Sequence, residues 1–191
     1  SKGIEYVIDA IYHVAKRLSG GERISLVIAG KFEERNRSYL DYLVRKKQQV
    51  ESECSNVRIY ILKNISEELK LGLYDAADVF VMGSPTEPFG ITIIESLARG
   101  TPVVVPDVEG PREIFNIHDK LRSTCIEVSG GVMVKYDKPE NRSQNLAEGI
   151  LMVLQNINKF KQKAISARLE IERRYSWASI AQQILRLYRD P

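Results

Sequence analysis

The stretch that decides the fold is VFVMGSPTEPFGITIIESLARGTPVVVP, residues 79–106. It opens with a short apolar run, continues through a loop rich in Gly, Ser and Pro, and then shows a helical pattern that begins after Gly90 and ends at Gly100. A second apolar run, VVVP (103–106), follows at once. The order strand, loop, helix, strand predicts a βαβ unit with parallel strands.

Similar units lie on both sides of this stretch. Continuous runs of branched apolar residues predict further strands at SLVIAG (25–30), VRIYIL (57–62) and VMVK (132–135). Strands that are apolar at every position, rather than at alternate ones, are typical of a parallel sheet covered by helices on both faces. The sequence therefore predicts an α/β fold built on a doubly wound parallel sheet.

Helical patterns precede, separate and follow these strands. Apolar residues at three- and four-residue spacing predict a first helix over about residues 3–18, ended by Gly20 and Gly21. Residues 116–130 show no clear period and are predicted to form a long loop.

The last quarter of the chain is predicted to be entirely helical. Helices are expected at about residues 144–155, 158–173 and 177–188. The chain, residues 1–191, is thus predicted to consist of an α/β core over residues 1–142 and a helical C-terminal extension over residues 143–191.

Composition excludes several classes of function. The chain has 191 residues, of which 43% are hydrophobic and 28% charged, as in a globular protein with a core. The 28 Lys and Arg residues against 25 Asp and Glu residues give a net charge of +3 that is spread along the chain, so nucleic acid is not an expected partner. No cluster of Cys and His has the spacing of metal ligands, so neither a metal nor a resident cofactor is expected.

The turn around Gly90 carries the strongest chemical signal. The amides of Gly90, Ile91 and Thr92 open a helix, where N–H groups lack partners and the helix dipole favours an anion. Glu87 precedes this turn and Glu95 follows it. Because carboxylates accept hydrogen bonds from hydroxyls, a ligand with both phosphate and sugar hydroxyls would suit the arrangement.

The segment SPTEPFGITIIESLARGTPVVVPD (84–107) resembles the donor-binding motif of retaining glycosyltransferases of the GT-B fold, the glycosyl transferases group 1 family. That motif is a Glu-x7-Glu pair spanning a Phe-Gly turn, followed by a Pro-Val strand. The resemblance runs from KGIEYVIDA (2–10) through LYDAADVFV (73–81) to YSWASIAQQILRLY (175–188). It implies the C-terminal, Rossmann-like half of a GT-B fold, which binds the nucleotide sugar.

The resemblance also implies roles for individual residues. Glu87 would bind hydroxyls of the donor sugar, Lys2 would bind the diphosphate, and both would be catalytic. Glu95 would bind the ribose. The other residues expected to contact the donor are Phe89, Gly90, Ile91 and Thr92 around the turn, Gly30 in a loop, and Leu62 and Lys63 near the nucleobase.

The implied reaction moves a hexose from a nucleoside-diphosphate sugar to a hydroxyl acceptor. The family's acceptor-binding half has no counterpart in this chain, and neither has the strand that normally precedes Lys2. The chain is therefore expected to be a fragment whose partner is the N-terminal half of the same protein, and to be inactive alone. The family's Gly-Gly pair is replaced by Glu109 and Gly110, so the resemblance assigns no role at this point.

Two alternative functions stay open at this stage. A GT-B-fold nucleotide-sugar epimerase would convert the donor without an acceptor, and a non-catalytic sugar-nucleotide-binding module would tolerate Glu87→Ala. No run approaches 18 consecutive apolar residues and no signal pattern is present, so a cytoplasmic protein without a transmembrane segment is expected. Contact with a membrane surface through the missing half also stays open.

Overall fold

The computed structural model describes residues 2–18 and 21–189, and Gly20, predicted to help end the first helix, lies outside these ranges. The strands are β1 (Ile24–Gly30), β2 (Val57–Lys63), β3 (Phe80–Val81), β4 (Val103–Pro106), β5 (Cys125–Val128) and β6 (Gly131–Val134). The α-helices are α1 (Ile4–Arg17), α2 (Arg37–Glu53), α3 (Glu67–Ala76), α4 (Ile91–Ala98), α5 (Glu109–Ile114), α6 (Arg142–Gln155), α7 (Ile157–Tyr175) and α8 (Trp177–Arg189).

Parallel pairing dominates the sheets. β1 and β2 form one parallel pair, and β3, β4 and β6 run parallel in a four-stranded sheet of order β3-β4-β6-β5. Every residue of β4 and β6 is buried, as their continuous apolar runs predicted. The predicted α/β fold with C-terminal helices is confirmed.

β5 corrects the prediction that residues 116–130 form a loop. Cys125–Val128 pair antiparallel with β6 through a tight turn at Ser129 and Gly130. The prediction was wrong because β5 is a short edge strand with a single buried residue, Val128, and so lacks an apolar run. The available signal was the turn, since a small residue followed by glycine between two apolar segments indicates a hairpin.

The core lies on both faces of the four-stranded sheet. One face, formed by Val104, Val132 and Val134, packs with α1 and α6. The opposite face carries Val103 and Met133, which pack with α4 and α7. α6 thus belongs to the same core as the strands, while the division of the chain at residues 142 and 143 stays a prediction.

The β1–β2 sheet is covered on one face only. Ile28 and Ile59 are buried with α1 and α2, whereas Val27 and Tyr60 on the other face are 39% and 49% exposed. In the described part of the chain, no strand pairs with β1 on the side away from β2, or with β3 on the side away from β4. The further strand that the resemblance implies before Lys2 stays a prediction.

Serine hydroxyls cap the N-termini of α3 and α8. The Ser66 hydroxyl accepts the Leu69 amide at the start of α3, and the Ser176 hydroxyl accepts the Ser179 amide at the start of α8. α8 is amphipathic but leaves most of its apolar side chains exposed, with Trp177 at 86%. Within the described ranges, no helix has the length and hydropathy needed to span a membrane.

Candidate active site

The N-terminus of α4 forms an accessible turn after β3. Gly90 has φ 97°, a left-handed conformation that glycine adopts without strain, and its carbonyl accepts the Ile93 amide at 2.9 Å. Ile91 and Thr92 lie in the first turn, where the helix provides no acceptor for their amides. Both residues are exposed, so an anion can reach the positive end of this helix.

Lys2 and Glu87 meet at the loop that follows β3. Lys2 Nζ lies 3.0 Å from Glu87 Oε2, and the side chains are 72% and 14% exposed respectively. The backbones of Gly3 and Gly83 approach closely beside this contact. A Cβ added to Gly83 would lie only 2.3 Å from the carbonyl oxygen of Gly3. The structure therefore joins the two residues that the resemblance assigned to catalysis, which are 85 positions apart.

Buried hydrogen bonds anchor the loop that follows β3. The Tyr136 hydroxyl donates to the Gly83 carbonyl at 2.7 Å, and the Gly110 amide donates to the Glu87 carbonyl at 2.9 Å. Burial raises the pKa of Tyr136, so its hydroxyl keeps the proton that it donates. The Ser84 hydroxyl is buried without a hydrogen-bond partner in the described part of the chain. The backbone of Glu87 is thus fixed while its carboxylate faces Lys2.

Glu95 is held by two side chains of α3. Lys70 Nζ lies 2.9 Å from Glu95 Oε1, and the Tyr74 hydroxyl donates to Oε2 at 3.1 Å. Hydrogen bonds to Glu67 and Glu95 raise the pKa of Lys70, and burial, with the Glu95 charge, raises that of Tyr74. Sequence reasoning missed both residues, although their four-residue spacing places them on one face of a helix.

Phe89 and the end of α7 make a second contact that the sequence did not reveal. The rings of Phe89 and Tyr175 meet edge to face with centroids 5.7 Å apart, and Phe89 is 40% exposed. No local signal could have joined them, because the contact depends on how α7 packs beside α4. The C-terminal helices therefore support one wall of the turn.

The remaining predicted donor residues lie at the carboxyl end of the β1–β2 sheet. Gly30 and Lys63 are partners in the strand register, Leu62 is half-buried next to them, and the Gly30 carbonyl accepts the Asn64 amide at 2.9 Å. The structure brings these three residues together. None of the hydrogen bonds or ion pairs of the described residues joins them to the two glutamates.

Side chains in the segment after β4 contact other residues of the same segment and of the loop that follows it. Arg112 Nε lies 3.4 Å from Asp107 Oδ1, and Asp107 Oδ2 accepts the Leu121 amide at 2.8 Å. Glu109, which replaces a glycine of the family pattern, is exposed in the first turn of α5. Across residues 2–18 and 21–189, no group of three or more His, Cys, Asp or Glu side chains is placed to hold a metal ion.

Comparison with known proteins identifies the family. The family described as glycosyl transferases group 1 matches residues 1–170. The chain belongs to this family. The predicted family is therefore confirmed. The members of the group 1 family are enzymes that transfer sugars.

Two relatives from different organisms agree with the group 1 assignment. An uncharacterised glycosyltransferase of Methanocaldococcus jannaschii is 31% identical over 192 residues, covering 98% of this chain and 42% of the relative. The phosphatidyl-myo-inositol mannosyltransferase of Mycobacterium tuberculosis is 26% identical over 190 residues, covering 98% of this chain and 43% of the relative. The chain spans less than half the length of these relatives.

Solved structures share the group 1 fold. The sucrose-phosphate synthase of Thermosynechococcus elongatus superposes with a TM-score of 0.73 at 26% identity, over 98% of this chain and 42% of the synthase chain. An Anabaena protein in complex with UDP superposes with a TM-score of 0.74 at 22% identity, over 100% of this chain and 46% of its own. These neighbours are GT-B glycosyltransferases, so the predicted membership of that fold is confirmed.

Proposed function

We propose that this chain is the donor-binding domain of a retaining glycosyltransferase, which moves a hexose from a nucleoside-diphosphate sugar to a hydroxyl acceptor. The observation that carries the proposal is the contact between Lys2 and Glu87 next to the exposed N-terminus of α4. A cation, a carboxylate and a positive helix end are thereby placed at one edge of the sheet. A sugar diphosphate has a complementary group for each of them.

The diphosphate fits the N-terminus of α4 together with Lys2. The first-turn amides of Ile91 and Thr92 and the helix dipole favour a phosphate. Negative charge develops on the leaving diphosphate when the bond to the sugar breaks, and groups fixed in advance stabilise that charge. The Anabaena neighbour was crystallised with UDP and with UDP-glucose, which supports the same class of ligand here.

The hydroxyls of the donor fit the two glutamates. Glu87 is bound by Lys2 in the structure, and this ion pair is weak because the lysine is 72% exposed. A bound donor would attract Lys2 to its diphosphate, while hydroxyls of its sugar would donate to Glu87. Glu95 would accept the hydroxyls of the ribose. One internal contact is thus exchanged for two contacts with the ligand.

The acceptor is assigned to the part of the protein outside this chain. The chain covers 42–46% of the relatives and neighbours described above, so an acceptor-binding half of similar size would complete the enzyme. We expect this chain alone to bind the donor nucleotide without transferring its sugar. We expect the whole enzyme to act in the cytoplasm and to need no metal.

Calorimetry on this chain tests the proposal. UDP, GDP and ADP are titrated separately into the folded protein, and one of them is expected to bind. Lys2→Met should weaken that binding about threefold to tenfold, because a cation near the diphosphate is lost. Lys161→Met is the control, since Lys161 also forms a surface ion pair, with Asp78 at 2.9 Å.

Two outcomes would contradict the proposal. One is the absence of binding by all three nucleotides while circular dichroism shows a folded protein. The other is an equal loss of affinity in Lys2→Met and Lys161→Met, since a general effect of lowering positive charge would then explain both.

A further inference from the structure

The carboxylate of Glu95 is engaged on both oxygens by residues that have no role in the function proposed above. Oε1 is 2.9 Å from Lys70 Nζ and Oε2 is 3.1 Å from the Tyr74 hydroxyl. Glu87, by contrast, has one such contact, with an exposed lysine. The two carboxylates of the motif therefore differ in how tightly they are oriented.

The lone pairs of Glu95 are only half used by these contacts. An ionised carboxylate has about four acceptor positions, two on each oxygen. Lys70 and Tyr74 each occupy one position on a different oxygen, so each oxygen keeps one position for a ligand. Two neighbouring hydroxyls, such as the 2′ and 3′ hydroxyls of ribose, match two such positions on one carboxylate.

The support for Glu95 is itself firmly placed. Tyr74 is buried, its ring packs edge to face on Phe80, and its carbonyl accepts the Thr101 hydroxyl at 2.7 Å. Lys70 is half-buried with 28% of its side chain exposed. A free glutamate side chain loses rotamer entropy when a ligand immobilises it. A glutamate already held by its neighbours avoids much of that loss.

We infer that Lys70 and Tyr74 are positioning residues that orient Glu95 to recognise the paired ribose hydroxyls of the nucleotide. This inference rests on the proposed function, because it needs a ribonucleotide at Glu95. Neither residue touches the reacting atoms, and both act through Glu95. Their removal should therefore lower the preference for ribose and leave the contacts with the diphosphate unchanged.

The test compares a ribonucleotide with its 2′,3′-dideoxy analogue. The diphosphate that the wild-type chain binds, UDP, GDP or ADP, and its dideoxy form are titrated into wild type, Lys70→Met and Tyr74→Phe. We expect each variant to lower the ratio of ribonucleotide affinity to dideoxynucleotide affinity about threefold to tenfold. The ribonucleotide should bind more weakly, while the affinity for the dideoxy form should stay at the wild-type value. Lys70→Arg should restore most of the ratio, and the Lys161→Met control should keep the wild-type ratio.

The possible results separate this inference from the proposed function. If the wild-type chain binds none of the diphosphates, both fail. If wild type binds a diphosphate but does not prefer ribose, or if Lys70→Met and Tyr74→Phe keep the wild-type ratio, the inference fails alone. If both forms weaken equally in the variants while the melting temperature falls, Lys70 and Tyr74 are structural only and the inference is overturned.

Discussion

Glu87 and Glu95 flank the same turn but are held in different ways. Glu87 meets a lysine that is 72% exposed and comes from a distant part of the chain, and a contact of that kind exchanges partners readily. Glu95 meets a half-buried lysine and a buried tyrosine from one helix. The difference suits Glu87 to a role that changes as the donor reacts, and Glu95 to fixed recognition of the nucleotide.

The largest effect is expected when the two glutamates are replaced in the whole protein. Glu87→Gln should lower kcat about 100-fold, because in the proposed function the lost charge lies at the reacting sugar. Glu95→Gln should raise the KM for the donor about tenfold with little change in kcat, since recognition of ribose is the same before and during reaction. Steady-state kinetics with varied donor concentration measures both.

A matched control comes from another glutamate pair in the chain. Glu140 and Glu148 have the same eight-residue separation as the motif, but Glu140 is exposed and outside the site. Glu140→Gln should leave both constants within error of wild type. Equal losses of kcat in Glu87→Gln and Glu95→Gln would remove the functional distinction between the two carboxylates.

Gly83→Ala is expected to have an intermediate effect. It should disturb the contact between Lys2 and Glu87 and leave the contacts of Glu95 unchanged. The new Cβ would lie 2.3 Å from the Gly3 carbonyl oxygen and must displace the backbone next to Lys2. We expect a loss of about 1–3 kcal/mol in the free energy of unfolding, measured by urea denaturation. The affinity should fall as in Lys2→Met, while the preference for ribose stays at the wild-type value.

Gly72→Ala provides the comparison for this variant. Gly72 lies inside α3, and a Cβ added there meets no atom within 4 Å beyond the adjacent backbone of the helix itself. Alanine favours a helix over glycine, so this change should keep or raise stability. If Gly83→Ala behaves like Gly72→Ala, the approach of Gly3 to Gly83 is not what holds Lys2 near Glu87.

Local pattern predicted most of the fold and part of the site. Continuous apolar runs identified β4 and β6 because burial on both faces leaves no polar position in a strand. The position of Gly90 before a helix identified the turn, since the motif is contiguous in sequence. The family resemblance then added Lys2, which no local pattern would single out.

The features that escaped prediction depend on contacts between distant segments. The approach of Gly3 to Gly83 and the ring contact of Phe89 with Tyr175 arise only when separate elements pack. β5 was missed because only one residue of this short edge strand is buried, so its sequence lacks a continuous apolar run. The contact of Lys70 with Glu95 likewise arises only when α3 lies beside α4.

The smallest expected effect is a preference for ribose that does not change between pH 6 and 9. Hydrogen bonds to Glu67 and Glu95 raise the pKa of Lys70 above its usual 10.5, so its charge is complete throughout this range and is lost only as the pH rises through the higher value. The Tyr74 pKa is raised as well, so its hydroxyl stays protonated. The diphosphate titrates near pH 6, but its protonation cancels in the ratio of ribo to dideoxy affinity. Calorimetry at several pH values measures that ratio, and a tenfold change within the range would show that a group other than Lys70 and Tyr74 controls the preference for ribose.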